Sequence, residues 1–259
     1  MSNEMRSRAV VTAGLCVALA GGAMLAPAVA VAEDAPIEQD VNAGDPSDPS
    51  ASAVALVNGK ECATLEDIVD AIAAADKADV KLMDSVEFDE VLTIDAGKVV
   101  NLDMNGKSIT VSSDFSGGRP ITNNGTLTVT GNGTIDCSGA GDKAVGAIRN
   151  DGVLTIMNGT FDGGNDYGNG GVIRNGSSAT LTIFGGTFQN GTAAIYNANE
   201  AYIYGGTFIG DTCSACNGVW GYTIQNGSID GSSPKMIVEE KDPENNPIVV
   251  SGTQGALSA

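Results

Sequence analysis

Apolar and polar residues alternate with a period of two along most of the chain after residue 91, which predicts β-strands with one buried and one exposed face. The alternation is clearest in Leu127-Thr128-Val129, Leu154-Thr155-Ile156 and Leu181-Thr182-Ile183. An earlier segment has a helical period instead, because Leu65, Ile68, Val69 and Ile72 recur on one face. Thr64, with Asp67 three residues later, is typical of a capping box. We therefore predict one helix, from Thr64 to about Ala75, followed by strands.

A short unit of glycine, a hydroxyl residue and an apolar residue repeats along the predicted strands. Its copies are Gly133-Thr134-Ile135, Gly159-Thr160-Phe161, Gly186-Thr187-Phe188, Gly206-Thr207-Phe208 and Gly227-Ser228-Ile229, with a looser version at Asn105-Gly106-Lys107-Ser108-Ile109. Successive glycines of the five copies are 26, 27, 20 and 21 residues apart. Repeats of this length indicate one supersecondary unit, called a coil below, that stacks on copies of itself and buries its apolar edge between them.

Each coil also carries an isoleucine that begins a strand and an asparagine two residues later. The isoleucines are Ile121, Ile148, Ile173 and Ile195, and the asparagines are Asn123, Asn150, Asn175 and Asn197. In a stack, these asparagine side chains would hydrogen-bond to one another from coil to coil and form a structural ladder. The apolar residues of the corners would form a further wall, made of Ile109, Ile135, Phe161, Phe188, Phe208 and Ile229.

These patterns predict an all-β fold, a right-handed parallel β-helix (solenoid) with one N-terminal capping helix. Two segments, Thr64-Leu65-Glu66-Asp67 and Leu102-Asp103-Met104-Asn105-Gly106-Lys107, resemble the start of bacterial surface proteins with a right-handed parallel β-helix, the pectin-lyase-like architecture. The resemblance spans about residues 54–233. It implies a fold and leaves the activity open, because this scaffold carries lyases, hydrolases, adhesins and inert stalks.

The predicted organisation has five parts. They are a signal peptide (1–32), a disordered acidic linker (33–53), an N-terminal cap of strand and helix (54–80), the parallel β-helix (81–233) and a C-terminal tail (234–259). Arg6 and Arg8 before an apolar run, and small residues around Ala30, are typical of a secretory signal. The alternative is a membrane-spanning helix, since about 18 apolar residues can cross a bilayer. We expect secretion or cell-surface display, without membrane insertion once the signal is cleaved.

Charge and composition restrict the chemistry. The chain has 32 acidic and 13 basic residues, a formal net charge of −19, and no histidine. Such a surface repels nucleic acid and anionic lipid, and it repels polyanionic glycans unless calcium bridges them. The absence of histidine excludes Ser-His-Asp and Cys-His catalysis and the mixed Cys/His zinc sites. We predict no bound metal and no cofactor, with calcium left open at residues 162–171, where Gly-Asn-Asp partly matches a calcium-binding turn.

Cysteine usage adds a local prediction. In an oxidising compartment, Cys213 and Cys216 would form a disulfide that closes a short loop, and a redox site is the alternative. The sequence does not decide whether Cys62 and Cys137 pair.

Two columns of outward residues are candidates for catalysis. Asp136 and Asp162 follow equivalent corners about 4.8 Å apart on successive coils, near the separation of about 5 to 5.5 Å in retaining glycosidases. Arg149 and Arg174 lie between Thr122 and Tyr196; by resemblance to lyases of this architecture one would act as a base, or the pair would bind a carboxylated sugar. The alternatives are that aspartate merely favours the turn, and that the arginines pair with acidic neighbours such as Asp151.

A third column is the candidate for binding. It contains Met157, Phe184, Tyr204 and Gln225, with Tyr202 nearby, and Tyr196 adds a ring beside the arginines. Stacked rings on a surface would form a platform for sugars or for a partner's sheet. We expect an adhesin-like, glycan-binding module without catalysis, whose partner is an extracellular glycan or a host or bacterial surface protein. The alternatives are a polysaccharide lyase or glycoside hydrolase acting on extracellular glycan, and a rod that only spaces another domain.

Overall fold

The computed structural model describes residues 52–143, 146–164, 171–191, 193–210, 224–226, 235–252 and 257–258. The chain divides into two compact units, and all of these residues belong to the second, Pro49–Ala259. The predicted signal peptide lies outside the described residues, as does the predicted linker up to residue 51.

The described residues are mostly β-strand. Helix α1 spans Leu65–Ala74, and a 3-10 helix spans Ser138–Lys143. The strands in chain order are β1 (Ala55–Val57), β2 (Lys60–Cys62), β3 (Lys77–Leu82), β4 (Val86–Phe88), β5 (Leu92–Ile94), β6 (Val99–Asp103), β7 (Ser108–Val111), β8 (Ile121–Asn123), β9 (Thr126–Thr130), β10 (Thr134–Asp136), β11 (Ile148–Asn150), β12 (Val153–Ile156), β13 (Thr160–Asp162), β14 (Ile173–Asn175), β15 (Thr180–Ile183), β16 (Thr187–Gly191), β17 (Ile195–Asn197), β18 (Glu200–Ile203), β19 (Gly206–Gly210), β20 (Ile224–Asn226), β21 (Lys235–Val238), β22 (Ile248–Gly252) and β23 (Leu257–Ser258).

From β3 onward the strands fall into three parallel sheets, and the chain visits the sheets in turn. Sheet A has the order β2-β1-β3-β6-β9-β12-β15-β18-β21, sheet B runs from β4 to β22, and sheet C runs from β5 to β23. Each strand therefore pairs with the strand three elements later, as β9 does with β12 and β12 with β15. This topology is compatible with a β-helix.

The core lies between the three sheets, and the pairing registers stack like residues on like. Leu127, Leu154 and Leu181 follow one another in sheet A, Ile121, Ile148 and Ile173 in sheet C, and Ile109, Ile135 and Phe161 in sheet B. All of these side chains are buried. In sheet B the ring centroid of Phe188 is 5.0 Å from those of both Phe161 and Phe208, nearly parallel to each.

Helix α1 covers one end of this stack. Its buried side chains are Leu65, Ile68 and Ile72, and the helix contacts β3, β4 and β5, the first parallel strand of each sheet. The Asp67 N–H donates to Thr64 Oγ1 at 3.1 Å, and Asp67 Oδ2 accepts from the Thr64 N–H at 3.1 Å, which completes the capping box. Capping covers backbone and apolar groups that a terminal coil would otherwise expose.

Loss of the cap residue is expected to destabilise the protein modestly. In Thr64→Ala the first turn of α1 keeps its N–H groups but loses the hydroxyl acceptor, and the free energy of unfolding should fall by about 1 kcal/mol. Urea unfolding followed by circular dichroism measures the change. Thr64→Ser keeps an acceptor and is the matched control; equal losses in both variants would show that the hydroxyl is not the stabilising group.

Two carboxylates near the end of the stack that α1 covers should make the stability of the protein depend on pH in the acidic range. Hydrogen bonds from the N–H of Ala63 and from Thr64 lower the pKa of Asp67, and the Asn101 side chain lowers the pKa of Asp79. A folded pKa below the unfolded one stabilises the protein above the unfolded value, about 3.9, and this contribution disappears as the pH falls through the lower folded pKa. We expect the urea concentration at the unfolding midpoint to fall as the pH is lowered below about 4. The fall should be smaller in Asp67→Asn. The same acid profile in variant and wild type would contradict this assignment.

The structure corrects the predicted boundaries at both ends of the stack. Residues 77–82 already form a parallel strand of sheet A, so the stack begins inside the predicted cap, 54–80. The predicted tail contributes strands as well, since β21 pairs with β18 and β22 pairs with β19. Val250, from this tail, occupies the register position after Phe208. The predicted corner at 227–229 lies outside the described residues.

Candidate functional site

Four asparagines in register on sheet C, Asn123, Asn150, Asn175 and Asn197, form a continuous internal ladder. Asn123 Nδ2 donates to Asn150 Oδ1 at 2.7 Å, Asn150 Nδ2 to Asn175 Oδ1 at 2.7 Å, and Asn175 Nδ2 to Asn197 Oδ1 at 2.8 Å. All four side chains are fully buried. Their remaining donors bond backbone carbonyls where sheet C passes to sheet A, for example Thr180 O at 3.0 Å from Asn150. The ladder is therefore a structural element, inaccessible to a ligand.

The two candidate catalytic aspartates do lie on successive strands, paired in register. Asp162 is occupied by local hydrogen bonds, because its carboxylate accepts from the Gly164 N–H at 3.0 Å, Gln189 Nε2 at 3.1 Å and Asn190 Nδ2 at 2.6 Å. Asp136 accepts from the Ser138 N–H at 2.9 Å, the bond of an Asx turn. These contacts are those of turn-forming residues after a strand.

The arginine column lies on successive strands of sheet C and consists of Thr122, Arg149, Arg174 and Tyr196. Arg149 pairs with Thr122 on one side and Arg174 on the other, and Arg174 pairs with Tyr196. Exposed Arg149 forms an ion pair with Asp151, Nε to Oδ2 at 2.5 Å. Arg174 Nε is buried and has no hydrogen-bond partner among the described residues. Gln225 pairs with Tyr196 and therefore extends the arginine column. The prediction that Gln225 belongs to the aromatic column is wrong.

The aromatic column consists of Met157, Phe184 and Tyr204, which directly follow the C-terminal ends of strands β12, β15 and β18 of sheet A. Each residue directly follows one of the paired core isoleucines Ile156, Ile183 and Ile203 and therefore points outward. Met157 is 43% exposed, and the rings of Phe184 and Tyr204 are 5.3 Å apart at an angle of 31°. Tyr202 precedes Tyr204 by two residues and lies on the same face. Its hydroxyl donates to Glu200 Oε2 at 3.3 Å, and its ring centroid is 5.3 Å from Lys235 Nζ.

The far end of the aromatic column is covered by residues 239–247, called the covering loop below. Lys241 Nζ lies 3.5 Å from the centroid of the Tyr204 ring, and the Lys241 N–H donates to Tyr204 O. Asn246 Nδ2 reaches across that coil to donate to Phe184 O. Any side chain at Gly205 would collide with Asn246. The column is thus open at Met157 and closed at Tyr204.

Beside the aromatic column, where sheet A turns into sheet B, runs a polar groove of about 350 Å³, called the corner groove below. It is lined by Asn132, Asn158, Gly159, Thr160, Gly186, Thr187, Gly206, Thr207, Asn245, Asn246 and Pro247. Its threonines are in register, Thr160 with Thr187 and Thr187 with Thr207. The groove was not predicted, although the Gly-Thr repeats that build it are the clearest pattern in the sequence.

Glycine keeps the groove open. Gly159 and Gly186 have φ values of +115° and +108°, a region that side-chain-bearing residues rarely adopt. A Cβ at Gly186 would also lie 2.9 Å from Gly159 O. Backbone therefore forms the floor, and the threonine and asparagine side chains form the walls.

The described cysteines occupy separate buried positions. Cys62 Sγ lies 3.6 Å from Asp67 O, and Cys137 Sγ lies 3.5 Å from Gly146 O. Burial, reinforced by the charge of Asp67, raises the pKa of the Cys62 thiol, which keeps it protonated and unreactive at neutral pH. Cys213 and Cys216, the predicted disulfide, lie outside the described residues.

Within the described ranges, no group of three or more Cys, Asp or Glu side chains is arranged to hold a metal ion. Most of the loop considered for calcium, residues 165–170, lies outside them. None of the helices in the described part of the chain is long and apolar enough to cross a bilayer.

Comparisons of the chain with protein-family models, with curated proteins and with solved structures found no match.

Proposed function

We propose that this chain is an exported, right-handed parallel β-helix that binds an extracellular glycan on its outer surface and does not cleave it. The observation that carries the proposal is the aromatic column, which aligns Met157, Phe184 and Tyr204 on successive coils beside the corner groove. Rings and a thioether offer apolar faces, while the groove offers hydroxyls and amides. Sites that bind small polar molecules combine these two kinds of surface.

The occupation of Asp162 and Arg149, two of the four candidate catalytic residues, supports binding over catalysis. Asp162 accepts three hydrogen bonds from its own turn and the next coil, and Arg149 is paired with Asp151. A general acid or base must be able to reach the scissile bond and exchange a proton with it. These side chains would have to give up their present partners first.

A glycan array probed with the exported portion, residues 33–259, tests the proposal. Removal of the ring in Tyr204→Ala, made in the Lys241→Ala background where that ring is uncovered, is expected to weaken binding about tenfold, the loss of one good stacking contact. Lys241→Ala uncovers the same ring and should tighten binding about two- to fivefold, because a cation–π contact no longer competes. Dissociation constants of array hits, measured by biolayer interferometry, decide both expectations.

Tyr196→Ala is the matched control, since Tyr196 is a similarly half-buried tyrosine on sheet C, away from the aromatic column. It should leave binding unchanged. A loss in Tyr196→Ala with none in Tyr204→Ala would move the site to the arginine column. Capture of a surface protein together with a blank array would replace the glycan by a protein partner.

A further inference from the structure

The corner groove has the chemistry of a site for hydroxyl-rich, uncharged molecules. Threonine hydroxyls and asparagine amides can each donate and accept hydrogen bonds, as sugar hydroxyls can. The lining residues, which all belong to the described part of the chain, include no arginine, lysine, aspartate or glutamate. The groove can therefore recognise hydroxyl patterns but has no charge with which to neutralise an anion.

The charge of the whole chain favours the same class of ligand. A formal net charge of −19 repels glycans that carry carboxylate or sulfate groups. An anionic glycan would need local cations to overcome that field, and the groove supplies none. An uncharged glycan meets no such barrier.

Asn158 provides a specific contact. Its Nδ2 donates to Asn132 Oδ1 at 2.9 Å, whereas its Oδ1 is buried without a hydrogen-bond partner among the described residues. An orphaned acceptor of this kind is costly. Asn158 lines the groove, so a ligand hydroxyl there could supply the missing donor after a small rotation of the side chain.

The repeat of the walls suits a chain-like ligand. Thr160, Thr187 and Thr207 recur on adjacent parallel strands about 4.8 Å apart, so equivalent groups are presented at a constant step. Met157, which is 43% exposed, directly precedes Asn158 of the groove lining and offers an apolar surface next to it in the chain. Asn245 and Asn246 of the covering loop line the groove toward its Thr207 end.

We infer that the corner groove binds an uncharged oligosaccharide, with Thr160, Thr187 and Asn158 as hydrogen-bonding groups and Met157 as the adjoining apolar contact. This rests on the proposed function and names both the subsite and the class of glycan.

The test uses uncharged hexose and N-acetylhexosamine oligosaccharides together with uronate- and sulfate-bearing ones as probes. In Thr160→Val/Thr187→Val the β-branched shape is kept and only the hydroxyls are lost. We expect the dissociation constant for uncharged probes to rise about tenfold or more, given the usual strength of two hydrogen bonds. Binding of the wild type should change little between low and high salt, because no ion pair is involved.

Thr93→Val/Thr122→Val is the matched control, because these threonines are also in register on adjacent strands but lie on sheet C. The control should bind like the wild type, and circular dichroism melting verifies that both double variants fold. Unchanged affinity in the groove variant, or binding of acidic probes alone, would overturn the groove assignment while glycan binding stands. A blank for both probe classes would overturn the proposed function itself.

Discussion

Asn150→Asp is expected to destabilise the protein by at least about 3 kcal/mol. Asn150 Nδ2 donates to Asn175 Oδ1, Thr180 O and Gly152 O from a fully buried position. A carboxylate of the same shape cannot donate and places negative charge against those oxygens in a buried position, where its desolvation is costly. Chemical denaturation at pH 7 measures the loss.

The loss of stability in Asn150→Asp should be smaller in acid, and this direction would identify the buried negative charge as its cause. Burial raises the pKa of the introduced carboxyl above its unfolded value of about 3.9, so the penalty grows as the pH rises through the unfolded pKa. Below about pH 4 the protonated group can donate one hydrogen bond. Asn124→Asp, the same change at an exposed neighbour of the ladder, is the control and should cost little. Equal losses at the two positions would mean that the ladder does not stabilise the stack.

Phe188→Ala is expected to cost about 3 to 5 kcal/mol, the usual range for removing a buried phenylalanine. The ring of Phe188 lies between those of Phe161 and Phe208, 5.0 Å from each, so two stacked contacts and the enclosed volume are lost together. The backbone of sheet B is held by parallel pairing on both sides and cannot readily collapse into the space. Thermal and urea unfolding both measure the change.

Phe184→Ala is the control, since the same residue type four positions earlier lies at the partly exposed edge of sheet A. We expect it to lose less than half as much stability as Phe188→Ala. A comparable loss in the two variants would show that the stacked rings of sheet B add nothing beyond ordinary packing.

The registers inside the stack could be predicted because each coil repeats a strict local pattern. An isoleucine followed two residues later by an asparagine fixes which side chains point inward, and Ile148 and Ile173 indeed pair, as do Asn150 and Asn175. A slip of one residue would expose every core side chain of a strand, and a slip of two would separate the stacked asparagines, so the alternation and the Ile-x-Asn unit together specify the pairing. For the same reason the capping box at Thr64 could be predicted from four residues.

The ends of the stack could not be predicted in the same way. Loops between strands can lengthen at small cost in closure entropy, so spacing does not identify the next strand of a sheet. After β18 the next strand of sheet A is β21, beyond a longer interval than any earlier one, and Gln225 was consequently assigned to the wrong column. Strands β3 and β4 precede the first Gly-Thr corner, so no repeat unit identifies them as part of the stack.

The candidate site was predictable only as far as local alternation reaches. Outward placement of Met157, Phe184 and Tyr204 follows from the core isoleucines before them. The position of Lys241 over Tyr204 and the bond from Asn246 to Phe184 O join residues 37 and 62 apart in sequence, and no local pattern encodes them. The corner groove likewise depends on four coils and the covering loop meeting at one place.

The measurement that tests the central claim most directly is the fate of a glycan after it binds. Residues 33–259 would be incubated with the tightest-binding array glycan, and the recovered glycan analysed by mass spectrometry for shortened chains or unsaturated ends. We expect the glycan to be bound and returned intact, in the wild type and in Asp162→Asn alike. Cleavage products that disappear in Asp162→Asn or Arg174→Ala would contradict the account and make the chain an enzyme.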